Sequence, residues 1–308
     1  MDPPSRALDG GQRDADTPPP ERAAVPHQLS GDLPLGLRTH LLVGPGGMSA
    51  RPLGDALVVR TADMNSFYFG NFLFLPRAPR AEDVSGRLEQ WRTAFADAPG
   101  VEKVVLQWES GFEDSGIGNE LADAARRRGL EPDIDVVLRL EQAAPREPRT
   151  PMRARFVESE ADWATALEVA TEPTDSASRR TFHAWRRREH RRLVEAGHGL
   201  WWIAEAEADG RPVSSAGIFW NDSGTLARFQ SVDTRFDARG QGFATGLLSA
   251  MLVDIQRRLP RLETCVIVAT LDSQAERIYR SLGFEALDRL ESLWGDRHAA
   301  AGEASSAG

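Results

Sequence analysis

The hydrophobic positions between residues 152 and 294 follow strand spacing and helix spacing in turn. Apolar or alternating runs at 200–205, 213–220 and 226–232, separated by turn sequences, predict a meander of three strands. Residues 243–259 then carry apolar side chains at helical spacing and predict a long helix. Strands predicted at 153–157, 264–269 and 285–293, and helices at 161–170, 179–195 and 273–282, complete a mixed α/β domain.

The block that precedes this domain repeats the later part of the same order of elements in weaker form. Strands are predicted at 56–61, 67–75, 101–108 and 132–140, and helices at 82–97 and 119–128. The last helices of the two blocks align on Gly129 and Gly283, which places Ala125 opposite Tyr279 and Gly118 opposite Asp272. We interpret the chain as a duplicated fold whose first copy has lost its site, because the turn at 76–79 contains two prolines and no glycine.

Composition shifts mark the domain boundaries. Residues 1–35 are rich in Pro, Asp, Arg and Gly and predict a disordered tail, as does the Ala, Gly and Ser composition of 297–308. The Pro-containing stretch 142–151 predicts a linker. The remaining ranges are a first domain at 36–141 and a second at 152–296.

Composition and charge exclude several classes of protein. The 308 residues carry a net charge of −9, so we expect no nucleic-acid partner and no anionic membrane partner. Lys103 is the only lysine and is not in a phosphate-binding GxxxxGK[ST] loop, and Cys265 is the only cysteine. A disulfide, a cysteine-based zinc site and any other metal centre are not expected. No apolar stretch approaches the ~20 residues that span a bilayer, and we expect a cytoplasmic protein.

The turn after the third meander strand carries the clearest chemical signal. Residues 239–245 read RGQGFAT and lead into the long helix. Unpaired N–H groups at the start of a helix bind phosphate or pyrophosphate, and the glycines allow close approach to the backbone. A tight structural turn is the plainer reading of these glycines alone. A dinucleotide site is disfavoured, because Thr245 replaces the final small residue of GxGxxG and the turn does not open a βαβ unit.

Two spaced motifs resemble one family. Residues 232–244 read VDTRFDARGQGFA, which resembles the acyl-CoA-binding signature of the GNAT N-acetyltransferase superfamily, with its core [Q/R]-x-x-G-x-[G/A]. Residues 272–284 read DSQAERIYRSLGF and are similar to the second motif of that family. Phe236 stands where a proline is frequent, and Asp272 replaces the usual asparagine. The resemblance covers about 152–294, and the first block is similar to the degenerate copy of tandem members.

The resemblance implies two GNAT-like domains, each a mostly antiparallel mixed sheet flanked by helices, and acetyl-CoA as co-substrate. It implies direct attack of an amine on the thioester in a ternary complex, with Tyr279 as the proton donor to the departing thiolate. The acceptor would be a primary amine of a small molecule or a protein. The residues implied in coenzyme A binding are Val232, Asp233, Thr234, Arg239, Gly240, Gln241, Gly242, Phe243, Ala244, Thr245, Asp272 and Tyr279.

The sequence does not identify the general base of the reaction or the acceptor. Asp233 and Glu205 are the first candidates for the base, with His183 and His190 after them. The arginines at 186–188 and 191–192 either recognise an acidic group or form a solvated helix face, and we favour the solvated face. A non-catalytic acyl-CoA-binding or regulatory module and a plain interaction protein are the alternatives to an enzyme. The oligomeric state is not readable from the sequence.

Overall fold

A computed structural model describes residues 33–114, 116–298 and 300. The predicted tails at 1–35 and 297–308 lie for the most part outside this described part of the chain. The helices are α1 Leu35–Leu42, α2 Val84–Ala94, α3 Asn119–Arg126, α4 Glu160–Ala170, α5 Ala177–Glu195, α6 Phe243–Arg258 and α7 Gln274–Ser281. The strands are β1 Met48–Leu53, β2 Ala56–Thr61, β3 Phe72–Phe74, β4 Lys103–Gly111, β5 Leu130–Leu140, β6 Met152–Phe156, β7 Gly199–Ala206, β8 Pro212–Trp220, β9 Leu226–Thr234, β10 Thr264–Thr270 and β11 Phe284–Asp296.

The eleven strands of the described residues form one sheet, in the order β1-β2-β3-β4-β11-β5-β10-β9-β8-β7-β6. The pairs β3–β4 and β9–β10 are parallel, and the others are antiparallel. The predicted mixed α/β fold with two similar halves is confirmed. The two halves do not form separate sheets, however, and the sequence pattern did not predict their union.

The halves are joined by an exchange of their final strands. β11, from the second half, lies between β4 and β5 of the first half, while β5 pairs on its other side with β10 of the second half. The register runs from Phe284 opposite Leu140 to Gly295 opposite Leu130. Each half therefore supplies a strand that completes the sheet of the other.

Side-chain caps fix where several helices begin. Ser159 and Asp162 form a reciprocal capping box at the start of α4, and Ser176 accepts a 3.2 Å hydrogen bond from the amide of Arg179 at the start of α5. Ser273 plays the same part for α7. These serines satisfy amides that a helix leaves without internal acceptors.

The core has two layers, one on each face of the sheet. On one face, α6 and α7 cover the second half and α2 and α3 cover the first half. On the other face, α4 and α5 cover the outer strands of the second half, and a central cluster takes Leu37 from α1, Phe72 from β3, Val137 from β5, Trp185 from α5 and Val266 from β10. Because this cluster draws on both halves, α1 and α5 hold the halves together at the sheet's centre.

The structure differs locally from the prediction at several places in the chain. Helix α1 and strand β1 were not predicted, and the predicted strand 67–75 is a short 3-10 turn followed by the three residues of β3. The predicted linker 142–151 lies against the second half, where the amide of Arg146 donates to Ser249 at 2.9 Å. Arg297, assigned to the tail, donates to the carbonyls of Phe95, Ala98 and Val101.

Candidate active site

Strands β9 and β10 part in the middle of the second half. They pair only from Leu226 to Arg228, opposite Thr264 to Val266. Beyond that point β9 carries a bulge against β8, and Ser231 has a φ of 53°, which is unusual for a residue with a side chain. The bulge turns the end of β9 out of the regular ladder, and cavities open on either side of it.

The Gly-rich turn follows directly. Gly240 and Gly242 have φ angles of 76° and 89°, which only glycine adopts at little cost, and Gly242 is the N-cap of α6. The first helical bond from this turn joins the amide of Gly246 to the carbonyl of Gly242. Within the described ranges, no protein group accepts a hydrogen bond from the amides of residues 240–245. The turn therefore presents a row of free donors at the positive end of the α6 dipole.

These donors face a cavity of about 750 Å³, here named the turn cavity. Its volume lies within the range of small-molecule and cofactor sites. The structure brings most of the predicted residues together there. Those that line it are Val232, Asp233, Thr234, Arg239, Gly240, Gly242, Phe243, Ala244, Thr245 and Tyr279.

The linker forms one wall of the turn cavity. Arg146, Glu147 and Arg149 line it, and Nε of Arg146 donates to the carbonyl of Ser281 at the end of α7, at 2.7 Å. A Cβ atom on Gly242 would lie 3.1 Å from Cβ of Arg149, so a residue without a side chain is needed where the linker crosses the turn. Together with Arg239 and Arg277, the linker arginines give the cavity four cationic side chains.

Tyr279 projects from α7 into the turn cavity and is otherwise buried, with 6% of its surface exposed. Burial raises its pKa above the usual value for tyrosine, and the charge of Asp233 adds to that effect. The phenol is therefore protonated at neutral pH and has a proton to give. It is also a weaker acid than the side chain of a free tyrosine.

Asp233 connects the turn cavity to a second one. It lines both, and its Oδ2 lies 3.3 Å from Nη2 of Arg187. Burial raises the pKa of the Asp233 carboxyl, and Arg187, His183 and Arg239 oppose that rise. A carboxylate with a raised pKa at the junction of two cavities is placed to accept a proton from a bound group.

The second cavity, of about 250 Å³, is here named the inter-half cavity, because both halves line it. His40, Phe67 and Phe69 come from the first half, and α5, β9 and Val268 from the second. Arg186 and Arg187 are buried against it, with 8% and 7% of their surfaces exposed. The interpretation of these two arginines as part of a solvated helix face is therefore wrong, whereas Arg188 and Arg192 are exposed.

Three predicted site residues lie outside both cavities. Glu205 is held by Arg155 at 2.7 Å on β7. The side chain of Gln241 donates to the carbonyl of Asp237. Asp272 is exposed at the start of α7, with a φ of 60° and its amide bonded to Glu276 at 2.7 Å. The structure does not bring these side chains to Tyr279.

The two histidine candidates line the inter-half cavity. His190 is stacked on Trp201, and burial with Arg186 and Arg187 nearby holds its pKa well below the usual value. His183 lies 3.9 Å from Asp175, too far for a hydrogen bond. Burial raises the pKa of the Cys265 thiol to about 12, so this cysteine is not a nucleophile at neutral pH.

The described residues contain no group of three or more His, Cys, Asp or Glu arranged to hold a metal ion. No helix among them is long and apolar enough to cross a membrane.

Comparisons with known proteins agree with this geometry. Residues 197–286 match the family model of the acetyltransferase (GNAT) domain, a range that includes the Gly-rich turn and Tyr279. The matched range lies within the second half of the chain and extends from β7 to the start of β11. No curated protein matches the sequence significantly.

Solved structures match across both halves. A functionally unknown conserved protein from Staphylococcus epidermidis ATCC 12228 is 12% identical over 80% of this chain and 92% of its own, with a TM-score of 0.61. A GCN5-related N-acetyltransferase from Kribbella flavida is 20% identical over 81% and 90%, with a TM-score of 0.53. A tandem GNAT protein from the clavulanic acid biosynthesis pathway is 15% identical over 85% and 87%, with a TM-score of 0.50. At these identities the likeness shows a shared fold.

Proposed function

We infer that the protein is an acyl-CoA-dependent N-acyltransferase that moves an acetyl group from acetyl-CoA to a primary amine. The observation that carries this inference is the row of free amides at 240–245, which faces the same cavity as the buried phenol of Tyr279. The GNAT domain match over 197–286 supports it. The reaction is direct attack with both substrates bound, because two cavities meet at one residue, Asp233.

Coenzyme A fits the turn cavity by its chemistry. The free amides of the turn would bind the pyrophosphate, as helix N-termini bind phosphates elsewhere. Arg146, Arg149 and Arg277 supply positive charge for the remaining phosphate. The predicted linker would thus contribute to the co-substrate site.

Two side chains would handle the protons. Asp233 accepts a proton from the ammonium form of the acceptor, directly or through one water. The amine nitrogen then forms a bond to the acyl carbon while the carbon–sulfur bond breaks, and Tyr279 donates its proton to the sulfur. The proton shed by the attacking nitrogen returns to the tyrosinate through solvent, so the complete reaction yields an amide, a free thiol and one proton.

The domain boundaries follow as part of the proposal. Residues 36–141 would be a degenerate GNAT-like domain, 142–151 a linker and 152–296 the catalytic domain. The turn at 76–79 of the first domain, PRAP, contains two prolines that offer no N–H. The first domain would therefore act by lining the inter-half cavity and by exchanging strands.

One observation favours a second candidate, a non-catalytic acyl-CoA-binding module. His40, Phe67 and Phe69 of the first half cover the cavity where an acceptor would sit. Incubation with acetyl-CoA and a panel of amines, followed by thiol release, separates the two. Thiol release that depends on the amine supports the enzyme, whereas coenzyme A binding with no thiol release for any amine supports the module.

A further inference from the structure

The inter-half cavity contains buried guanidinium groups whose hydrogen bonds are incomplete. Arg186 is 8% exposed, and its Nη1 is buried with no acceptor among the residues that the structure describes. Arg228, 6% exposed, donates from Nη1 to Thr39 at 3.2 Å, while its Nε is buried without an acceptor. Guanidinium groups carry five N–H donors and accept none, so a cavity lined by them has an excess of donors.

Nearby carboxylates do not supply the missing acceptors. Asp233 is bonded to Arg187, and Asp135 interacts with the side chain of Thr270. Among the described residues, neither Arg186 nor Arg228 has a carboxylate oxygen within ion-pair distance.

Two further acids in this region are also engaged elsewhere. Glu109 accepts hydrogen bonds from the amides of Gly36 and Leu37, at 2.9 and 3.1 Å. Glu189 is paired with Arg188 and Arg192 at 3.4 and 3.2 Å. These acids therefore reduce the positive electrostatic potential of the cavity without forming an ion pair with Arg186 or Arg228.

Aromatic rings hold two of the guanidinium groups in place. The Arg186 guanidinium lies 5.0 Å from the Phe67 ring centroid, and that of Arg187 lies 3.9 Å from the Trp201 centroid. These ring contacts restrict each guanidinium group before a ligand arrives, so less freedom is lost on binding. Phe67 belongs to the first half, which thereby shapes a site in the second.

A buried charge without a partner destabilises the folded state. Such a group is therefore expected at a functional site, where a ligand supplies the opposite charge and the hydrogen-bond acceptors. Carboxylate and phosphate oxygens match the planar fork of arginine. Neutral His40 adds no competing charge, since burial, Arg228 and Arg186 lower its pKa to about 3. The cavity volume of about 250 Å³ limits the ligand to a small molecule.

We propose that the inter-half cavity binds an anionic group of the acceptor through Arg186 and Arg228, with the acceptor's amine directed to Asp233. This rests on the proposed function and adds the substrate class: small amines that also carry a carboxylate or a phosphate. The first half then contributes to the acceptor site, because it supplies Phe67, His40 and Thr39 around the anion.

Matched pairs of amines test the substrate class. We expect thiol release from acetyl-CoA with β-alanine or O-phosphoethanolamine to exceed that with propylamine or ethanolamine by at least about tenfold in kcat/KM, the scale of one charge-assisted hydrogen bond. The β-alanine and O-phosphoethanolamine arms distinguish a carboxylate from a phosphate. Equal rates within both pairs would overturn the proposal.

Arginine variants test the residues. Arg186→Gln and Arg228→Gln should raise the KM for the anionic amine about tenfold or more and leave the KM for coenzyme A unchanged. Arg188→Gln, on the same helix with 64% of its side chain exposed, is the matched control and should behave as the unmodified protein. An unchanged KM in both cavity variants would contradict the assignment.

Direct binding keeps this inference separate from the proposed function. Calorimetry with O-phosphoethanolamine and with β-alanine, on the full chain saturated with coenzyme A, should give heat for at least one, lost in Arg186→Gln and kept in Arg188→Gln. If coenzyme A does not bind, the proposed acyltransferase function is wrong. The anion site can still be tested in that case, by the same titrations on the protein without coenzyme A. No binding of either amine at millimolar concentration would overturn the anion site.

Discussion

Arg187 donates a hydrogen bond to Asp233 from a buried position above the ring of Trp201. The contact ties α5, which lies over the inter-half cavity, to the end of β9, which borders the turn cavity. Arg187 also opposes the rise of the Asp233 pKa that burial causes. Proton transfer and acceptor binding thus share one pair of residues.

The role of Tyr279 as the proton donor can be tested by substitution. Tyr279→Phe removes the hydroxyl and keeps the ring, so we expect kcat to fall by about 10²- to 10⁴-fold, the range of general acid catalysis. The Kd for coenzyme A should stay within about twofold. Tyr68→Phe is the matched control, because Tyr68 is the only other tyrosine and is 39% exposed in the first half. Unchanged kcat in Tyr279→Phe would remove the phenol from the mechanism.

Asp233 tests the base through its pH dependence. Burial raises its pKa, while Arg187 and His183 of α5 and Arg239 of the turn lower it. The ionised form is needed, so activity should be lost as pH falls through a pKa above the ordinary ~4 of aspartate. Asp233→Asn should lower kcat/KM by about 10²-fold and abolish that acidic limb. Asp237→Asn, on the exposed turn, should keep the limb. An acidic limb that persists in Asp233→Asn would assign it to another group.

The buried carboxyl of Glu109 should make the stability of the protein depend on pH. Burial raises its pKa to about 7, and it faces the amides of α1, the carboxyl of Asp288 and the charge of Arg228. The folded state therefore binds more protons than the unfolded state between about pH 4.5 and 7, and stability should fall as pH rises through that window.

In Glu109→Gln this loss should be smaller, by on the order of 1 to 3 kcal/mol in the free energy of unfolding. Urea unfolding of both proteins at pH 5 and pH 8 measures the difference. Identical pH dependence in the two proteins would show that Glu109 titrates as an ordinary carboxyl.

The exchanged strands predict one cooperative unit. β11 pairs with β4 and β5, so a fragment ending at 141 lacks the strand at its sheet centre, and a fragment beginning at 142 lacks β5. We expect neither fragment alone to give a monomer with a sharp thermal transition, and expect the two mixed to form a 1:1 complex. Circular dichroism and size-exclusion chromatography measure both. A fragment that unfolds cooperatively by itself would contradict the shared sheet.

Local pattern predicted the elements of the second half within a few residues. The spacing of Leu247, Leu248, Met251 and Leu252 fixed helix α6, and the two motifs located the turn and Tyr279. Helix α1 escaped prediction because it is short and follows a Pro-rich stretch, with its stability coming from packing on the other half.

The strand exchange and the buried arginines needed the tertiary structure. The apolar residues of β5 and β11 would be buried equally well if the two strands lay in separate sheets. The alternation of apolar and polar residues determines which face of a strand is buried, but not which strand pairs with it. The five arginines at 186–188 and 191–192 of α5 resemble a solvated face, yet His183, Arg186, Arg187 and His190 recur at helical spacing beside Trp185. That spacing was the one available signal of a polar face turned inward.

The proposed activity depends above all on the binding of coenzyme A by the amides of the Gly-rich turn. Gly242→Ala places a side chain at a φ of 89° and 3.1 Å from Cβ of Arg149, so it should distort the turn. Gly210→Ala is the control, with a φ of 71° at a hairpin turn and nothing within 4 Å of the added Cβ.

Isothermal calorimetry with coenzyme A on the unmodified protein and these two variants is the most direct measurement. We predict saturable binding to the unmodified protein and to Gly210→Ala, and a Kd at least about tenfold weaker in Gly242→Ala. The absence of binding to the unmodified protein at millimolar coenzyme A, or equal binding to all three, would contradict the account.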